Sequence, residues 1–459
     1  MDFDWIEPCD LDVPRVYEDA LAVLERIGLK VANETARRKL AGKLPIDDGW
    51  ARFPRDVVER YVEELRRRGG EHKPAGRAER VRPCASNLHF RYVDPVTGRD
   101  MPYDTPTLVR HTKLLSQLQM DGRVVGAVPG YPCDVPPAMQ LLTNTYLGCV
   151  HNPQPHINYV LQDVRQVKYL LQICETFEKP LGVLTELISP MKFVGDSVDM
   201  AFDHIPDPEH TFIAIGPMPI LGVTAPADWH LAYVQCVAEN LGSYVILREA
   251  GFSNVTFPPM RLFVPNMRTG MLYFTSPKHL AVLLTRRKVL DFFGGGTDSH
   301  EMWLVTSKRP DAQAAAEKTL GALWGLLAGF PVLEGAGALW LDEMFSPAQL
   351  MIDLEIADYV NAVPGRPEPF EADPVETIRQ GVEDGGFLNA DRTLDRFLGF
   401  TWRPGLFDLQ VRAGWDEPDI CRRANAAAEA VIAMHSYERT DGKREQLERI
   451  MARARAEFS

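Results

Sequence analysis

Seven side chains, scattered along the chain, are of the types that hold a cation unable to donate a hydrogen bond: Tyr131, Glu186, Phe257, Phe274, Trp303, Glu334 and Trp340. A quaternary ammonium ion offers no N–H, so aromatic faces and the pull of a carboxylate are what can grip it. Tyr131, Phe257, Phe274, Trp303 and Trp340 are the substrate-binding candidates, and the carboxylates Glu186 and Glu334 the catalytic ones. Singly, an aromatic is more often core packing, and alternation along a strand lets only some face a common centre. The set, not any member, carries the reading. Asn266, Arg268 and Lys308 fall in Asn-Met-Arg-Thr-Gly (266–270) and Ser-Lys-Arg-Pro-Asp-Ala-Gln (307–313), where an apolar strand is expected to give way to a helix. They are candidates for orienting the site, with an ion pair as the alternative role.

Other patterns point elsewhere. The run Gly294-Gly295-Gly296-Thr297-Asp298-Ser299 invites a phosphate-loop reading, but it follows a helix and precedes a strand, where glycines cap a helix C-terminus. Cys149, His151 and His156 precede a strand in a proline-held segment, which suits loop histidines better than metal ligands. Neither a Gly-x-Ser-x-Gly elbow nor a dinucleotide fingerprint is present.

The elements that must position the candidates follow from periodicity. Short apolar strands are expected at 124–129, 156–160, 181–185, 211–215, 255–257, 301–305 and 331–333, with an eighth at 271–275. Amphipathic helices between them include 164–177, 229–249 and 310–327. This alternation is the mark of parallel βα units, and closure needs eight strands. The expected fold is α/β, a TIM (β/α)8 barrel at 104–345, with an N-terminal helical and hairpin cap at 1–103 and a C-terminal helical region at 346–459. In such a barrel chemistry is done where strands end and loops vary.

Composition narrows the partners. The 63 acidic against 50 basic residues give a net charge of −13, which disfavours nucleic acid. Seven scattered cysteines with no Cys-x-x-Cys pair suggest neither a disulfide framework nor a zinc ribbon. No secretory signal pattern and no membrane-length apolar run is seen, so a cytoplasmic protein is expected.

Several motifs together resemble one family. They are Pro-Met-Pro-Ile-Leu-Gly-Val-Thr-Ala-Pro (217–226), Met267-Arg268-Thr269-Gly270, Pro310-Asp311-Ala312-Gln313, Gly335-Ala336-Gly337 with the following Phe345-Ser346-Pro347-Ala348-Gln349-Leu350, and Trp402-Arg403-Pro404. In order and spacing they resemble the trimethylamine methyltransferase family, in its branch without pyrrolysine, which includes glycine betaine methyltransferase. The resemblance implies a barrel methyltransferase that moves a methyl group from a betaine-like quaternary amine to cob(I)alamin, held by a separate corrinoid protein rather than tightly by this chain. A possible homo-oligomer goes with it, and the resemblance makes Asn266, Arg268 and Lys308 the residues expected to meet the partner's corrinoid. The chain departs from the family pattern at Asn266, Thr306, Glu334 and Trp340. A barrel lyase or hydrolase that has lost corrinoid chemistry, or a non-catalytic binder of cationic osmolytes, would keep the same aromatic pocket.

Overall fold

The computed structural model describes residues 11–71, 80–126, 128–155, 157, 163–205, 211–295, 300–363, 373–400, 402–409 and 418–458, and the fold is mixed α/β. Five strands form two parallel ladders: β1 Arg82–Ala85, β2 Leu181–Leu187, β3 Thr211–Pro217, β4 His300–Met302 and β5 Val332–Ala336. In one ladder β2 pairs with β3, from Leu181↔Thr211 to Leu187↔Pro217, and Ile213 bridges onward to Val255. In the other, β4 pairs with β5 and β5 with β1, so that Met302, Glu334 and Cys84 share a register, and Cys84 bridges to Val125. All these pairings are parallel, as expected of strands joined by helical crossovers.

Four of the expected strand segments form these paired strands and two more, at 124–129 and 255–257, join them by single bridges, but the eighth strand does not form at 271–275. There Leu272 makes an antiparallel bridge to Pro265 within a turn. The remaining edge of β5 is covered instead by β1, far upstream and inside the segment expected to be a cap. The expected strand at 156–160 lies outside the described residues apart from Ile157, as do Gly296 to Ser299 of the glycine run. The expected hairpin is present, with Arg91–Val93 antiparallel to Asp100–Pro102.

Helices cover the ladders. They include α1 Val13–Arg26, α2 Pro137–His151, α3 Val167–Phe177, α4 Trp229–Glu249, α5 His279–Phe292, α6 Ala312–Ala328, α7 Pro347–Asn361, α8 Ile420–Met434 and α9 Gly442–Phe458. Local chemistry sets their ends. The Asp12 carboxylate accepts from Arg15 N at the start of α1, Asp311 caps α6 and Ser346 caps α7. The α4 helix is buried from Ala232 to Leu247 apart from half-buried Gln235, the pattern of a helix enclosed by the core. It packs against α1 in a large apolar core that also takes in Val183, Ile213 and Phe257. A second core joins Leu333, Trp303 and the faces of α6, α7 and α8.

A C-terminal strap closes the far end of α2. Arg439 donates from Nε to Cys149 O and from its backbone N to Val150 O, with its guanidinium 5.0 Å from the Phe177 ring centre. It therefore occupies carbonyls that the helix terminus leaves unpaired. Among the described residues, no helix is long and apolar enough to cross a membrane.

Candidate functional site

Parallel register turns a sequence pattern into a surface. On β5, Leu333 packs into the helix-facing core, its Cδ2 close against Gly325 of α6, so Glu334 lies on the opposite face. On β4, Glu301 faces α5, and Met302 takes the opposite face. The row Val125, Cys84, Glu334, Met302 thus crosses four adjacent segments on the side away from the helices. These side chains are partly open, Val125 most of all at 46% exposed. The Cys84 thiol is pushed up to about 12, first by burial and then by the nearby Glu334 carboxylate, so it stays neutral.

The next layer, towards the strand ends, is apolar. Leu304, two residues beyond Met302, joins Phe263, Phe274, Ala338 and Leu341 in one cluster, with Met302 and Ile220 packed against it. Phe263 and Phe274 meet edge to face at 5.7 Å. One carboxylate, a thiol, a thioether and two phenyl rings are therefore gathered around one end of the sheet. That is a set able to hold a soft or quaternary cation by ring faces and charge.

The backbone that carries Glu334 is rigidly held. The Glu334 carbonyl accepts from Trp303 N at 2.6 Å. Gly335 has φ +124°, and a Cβ there would lie 2.9 Å from Trp303 O, so only glycine fits. Lys318, fully buried on α6, donates to Trp303 O at 2.6 Å and Gly335 O at 2.7 Å and lies 3.3 Å from Asp353. Asp353 in turn accepts from Gly337 N and Gln349 Nε2. Burial pulls the Lys318 amine down and pushes the Asp353 carboxyl up, and each charge restrains the other. This buried pair explains the Gly335-Ala336-Gly337 and Gln349 motif: it clamps the turn that presents Glu334.

The same economy governs the other strand-end loops. After β4, Glu317 accepts from Thr306 N and Oγ1 and from Gln313, while Ser307 Oγ donates to Asp311. After β3, Ile220 N donates to Thr224 Oγ1, and Leu221 N to Phe263 O. Behind β4, burial opposes ionisation of Glu301, yet the Arg286 guanidinium in contact with it holds its carboxyl down at about 2.

The sequence candidates divide under this geometry. Glu334 and Phe274 join the site. Trp303 does not: it is 1% exposed, faces α6, and donates from Nε1 to Lys318 O at 2.7 Å. Strand alternation sends it to the side opposite Met302. Phe257 lies in the main core, and Tyr131 is buried against Phe90, with ring centres 5.2 Å apart. Trp340 stands at the rim at φ +50°, under the Lys308 ammonium at 4.4 Å from its ring centre. Asn266 folds the 266–270 turn by accepting from Arg268 N, and Arg268 is exposed on that turn. Glu186 pairs in register with Gly216, and its side chain is outside the described residues. Phe263, Cys84, Met302, Lys318 and Asp353 were not singled out by sequence. Pro83 and Arg82 disguised β1 as a loop, and a lysine inside a helix carries no signal of burial. Only the period-two spacing of Met302 and Leu304 could have pointed to the inner face.

Comparison with known proteins places these features in context. The family model described as trimethylamine methyltransferase (MTTB) matches residues 6–459. Trimethylamine methyltransferase MttB of Methanosarcina thermophila is 34% identical over 127 residues, 28% of this chain and 26% of its own length. Trimethylamine methyltransferase MttB2 of Methanosarcina mazei is 29% identical over 185 residues, 38% of this chain and 36% of its own. The matched stretches thus span about a quarter to a third of these relatives. A crystal structure of a hydroxylamine MtmB complex aligns with all of this chain and 89% of its own, at 10% identity and a TM-score of 0.49.

Proposed function

This chain belongs to the trimethylamine methyltransferase family, and on that premise we propose that it moves a methyl group from a quaternary amine to a corrinoid held by a partner protein. The observation that carries the reading is the row Cys84–Glu334–Met302 beneath Phe263 and Phe274, an anionic and aromatic inner face at the strand ends. We take the two parallel ladders as arcs of one eight-stranded barrel, with Val125 and Val255 marking neighbouring strands and β1 next to β5. The inner face is then the barrel mouth, where such enzymes carry their chemistry.

A quaternary nitrogen leaves as a neutral amine, so no acid or base is required of the protein. The corrinoid supplies the nucleophile. Positive charge fades from nitrogen as the methyl departs, so tight cation binding alone would not speed transfer. The apolar layer of Leu304, Phe263, Phe274 and Leu341 excludes water from the cation, and Glu334 draws it to one end and fixes its line of approach. Met218, Met267 and Met271 lie exposed on loops joined by the Ile220↔Phe263 and Pro265↔Leu272 bridges, an apolar rim suited to a partner's approach. Arg268 and Lys308 add positive charge there.

The test is methylation of cob(I)alamin followed by absorbance, with quaternary amines and trimethylamine offered in parallel. Loss of the Co(I) band with a quaternary amine supports the reading. Silence with every amine, in the presence of candidate corrinoid proteins, would refute it.

A further inference from the structure

We infer that this inner face selects a quaternary ammonium ion that carries no carboxylate, of the choline or tetramethylammonium kind. The inference rests on the reading above that a quaternary amine enters at the strand ends. It begins with Glu334, which stands in register between Cys84 and Met302, two neutral neighbours, with Val125 beyond Cys84. The layer above includes an apolar cluster, from Leu304 and Ala338 to Phe263, Phe274 and Leu341. A substrate carboxylate held in this space meets either an anion or hydrocarbon, and both oppose its charge.

No described cation is seen paired with Glu334: Arg261 donates to His300 O, and Arg268 lies exposed on the 266–270 turn at the rim. Lys318 spends its amine on Trp303 O, Gly335 O and Asp353, behind the strands. Arg286 is bound to Glu301 on the helix-facing side and donates to Pro259 O. Lys308 is at the rim over Trp340. Arg82 shares the face of Cys84 but precedes it by two residues, a layer of roughly 7 Å towards the opposite end of the sheet. A short betaine gripped at the Phe263–Phe274 layer would have to pass Glu334 to reach it. A trimethylammonium head with a neutral tail has no such conflict.

The experiment is calorimetric titration of the full chain with choline, tetramethylammonium, glycine betaine and carnitine, needing no corrinoid. Choline and tetramethylammonium are expected to bind at least about tenfold more tightly than glycine betaine, since a like charge a few ångströms away in a partly dry site is worth that much. In Glu334→Gln, with an unchanged thermal melt as the check on folding, that preference should shrink to about twofold or less. Met302→Lys, which sets a cation beside Glu334, should move the preference towards glycine betaine. Glycine betaine or carnitine binding as tightly as choline, or an unchanged preference in Glu334→Gln, would overturn the inference and leave the methyl-transfer reading intact. Failure of all four ions to bind would take both down together.

Discussion

The difference between Met302 and Trp303 shows how finely the site is set by a single residue step. One faces the inner row and the other the helix layer, because successive strand side chains point to opposite faces. Residue type placed Trp303 among five cation-binding candidates, and its place in the strand turns it towards the helix layer. Glu334 and Phe274, which lie on the inner face and in the apolar cluster beside it, were among the sequence candidates. Phe263 was not, since nothing in Leu262-Phe263-Val264 announces that the segment bridges to Ile220. The two rings therefore make opposite predictions. Phe274→Ala should weaken binding of a quaternary ammonium by about five- to thirtyfold, the worth of a desolvated ring face, with a modest change in melting temperature. Trp303→Phe should lower the melting temperature, by roughly 0.5–1.5 kcal/mol of stability for the lost buried hydrogen bond to Lys318 O, and leave the affinity almost untouched. Equal effects on affinity would mean that the inner face has been misassigned.

At the scale of elements, the helices expected at 164–177, 229–249 and 310–327 and the strands of the β2–β3 ladder were evident from periodicity. Asp12, Asp311 and Ser346 mark helix starts where the structure has them. The β1 strand was hidden because it is four residues long and holds an arginine and a proline, a composition that suits a loop. Its place is set by tertiary pairing with β5, which local propensity cannot report. The clamp between α6 and α7 was equally invisible, although its sequence marks, Gly335-Ala336-Gly337 and Gln349, stood out as motifs. Removing one side of a buried pair leaves a stranded charge, so Lys318→Met should cost about 3–5 kcal/mol in chemical denaturation. Replacing both partners, Lys318→Met with Asp353→Leu, should recover much of that stability while loosening the Gly335–Gly337 turn. A double variant less stable than the sum of its parts would show that the pair acts through something other than compensated charge.

The molecule as a whole hides several histidines from water. Burial pulls His89 down to about 4, His111 to about 3 and His151 to about 4, each well below its ordinary 6.5. His89 lies between Asp342 O and the Phe345 ring, His111 takes a hydrogen bond with Tyr103, and His151 sits under the C-terminal strap beside His435. A folded pKa below the unfolded one means that the unfolded chain binds protons first as the pH falls. The stability these neutral rings contribute is complete above about 6.5 and drains away as the pH falls from about 6.5 to 4, and to about 3 for His111. At roughly 1.4 kcal/mol per pKa unit, the two fully buried rings account for up to about 3.5 (His89) and about 5 (His111) kcal/mol. The melting temperature should therefore be flat from pH 8 to 7 and fall steeply across that window, with His89→Gln shallower than the parent. A melting temperature that held steady down to pH 4 would contradict the burial of these rings. The central claim concerns the methyl group itself, and isotopic labelling follows it most directly. A quaternary amine bearing deuterated methyl groups would be incubated with the full chain, reduced cobalamin and candidate corrinoid proteins, and both products weighed by mass spectrometry. The account predicts one labelled methyl on the corrinoid fraction for each tertiary amine released. Label that stays wholly with the amine, or an amine consumed without label reaching the corrinoid, would contradict it.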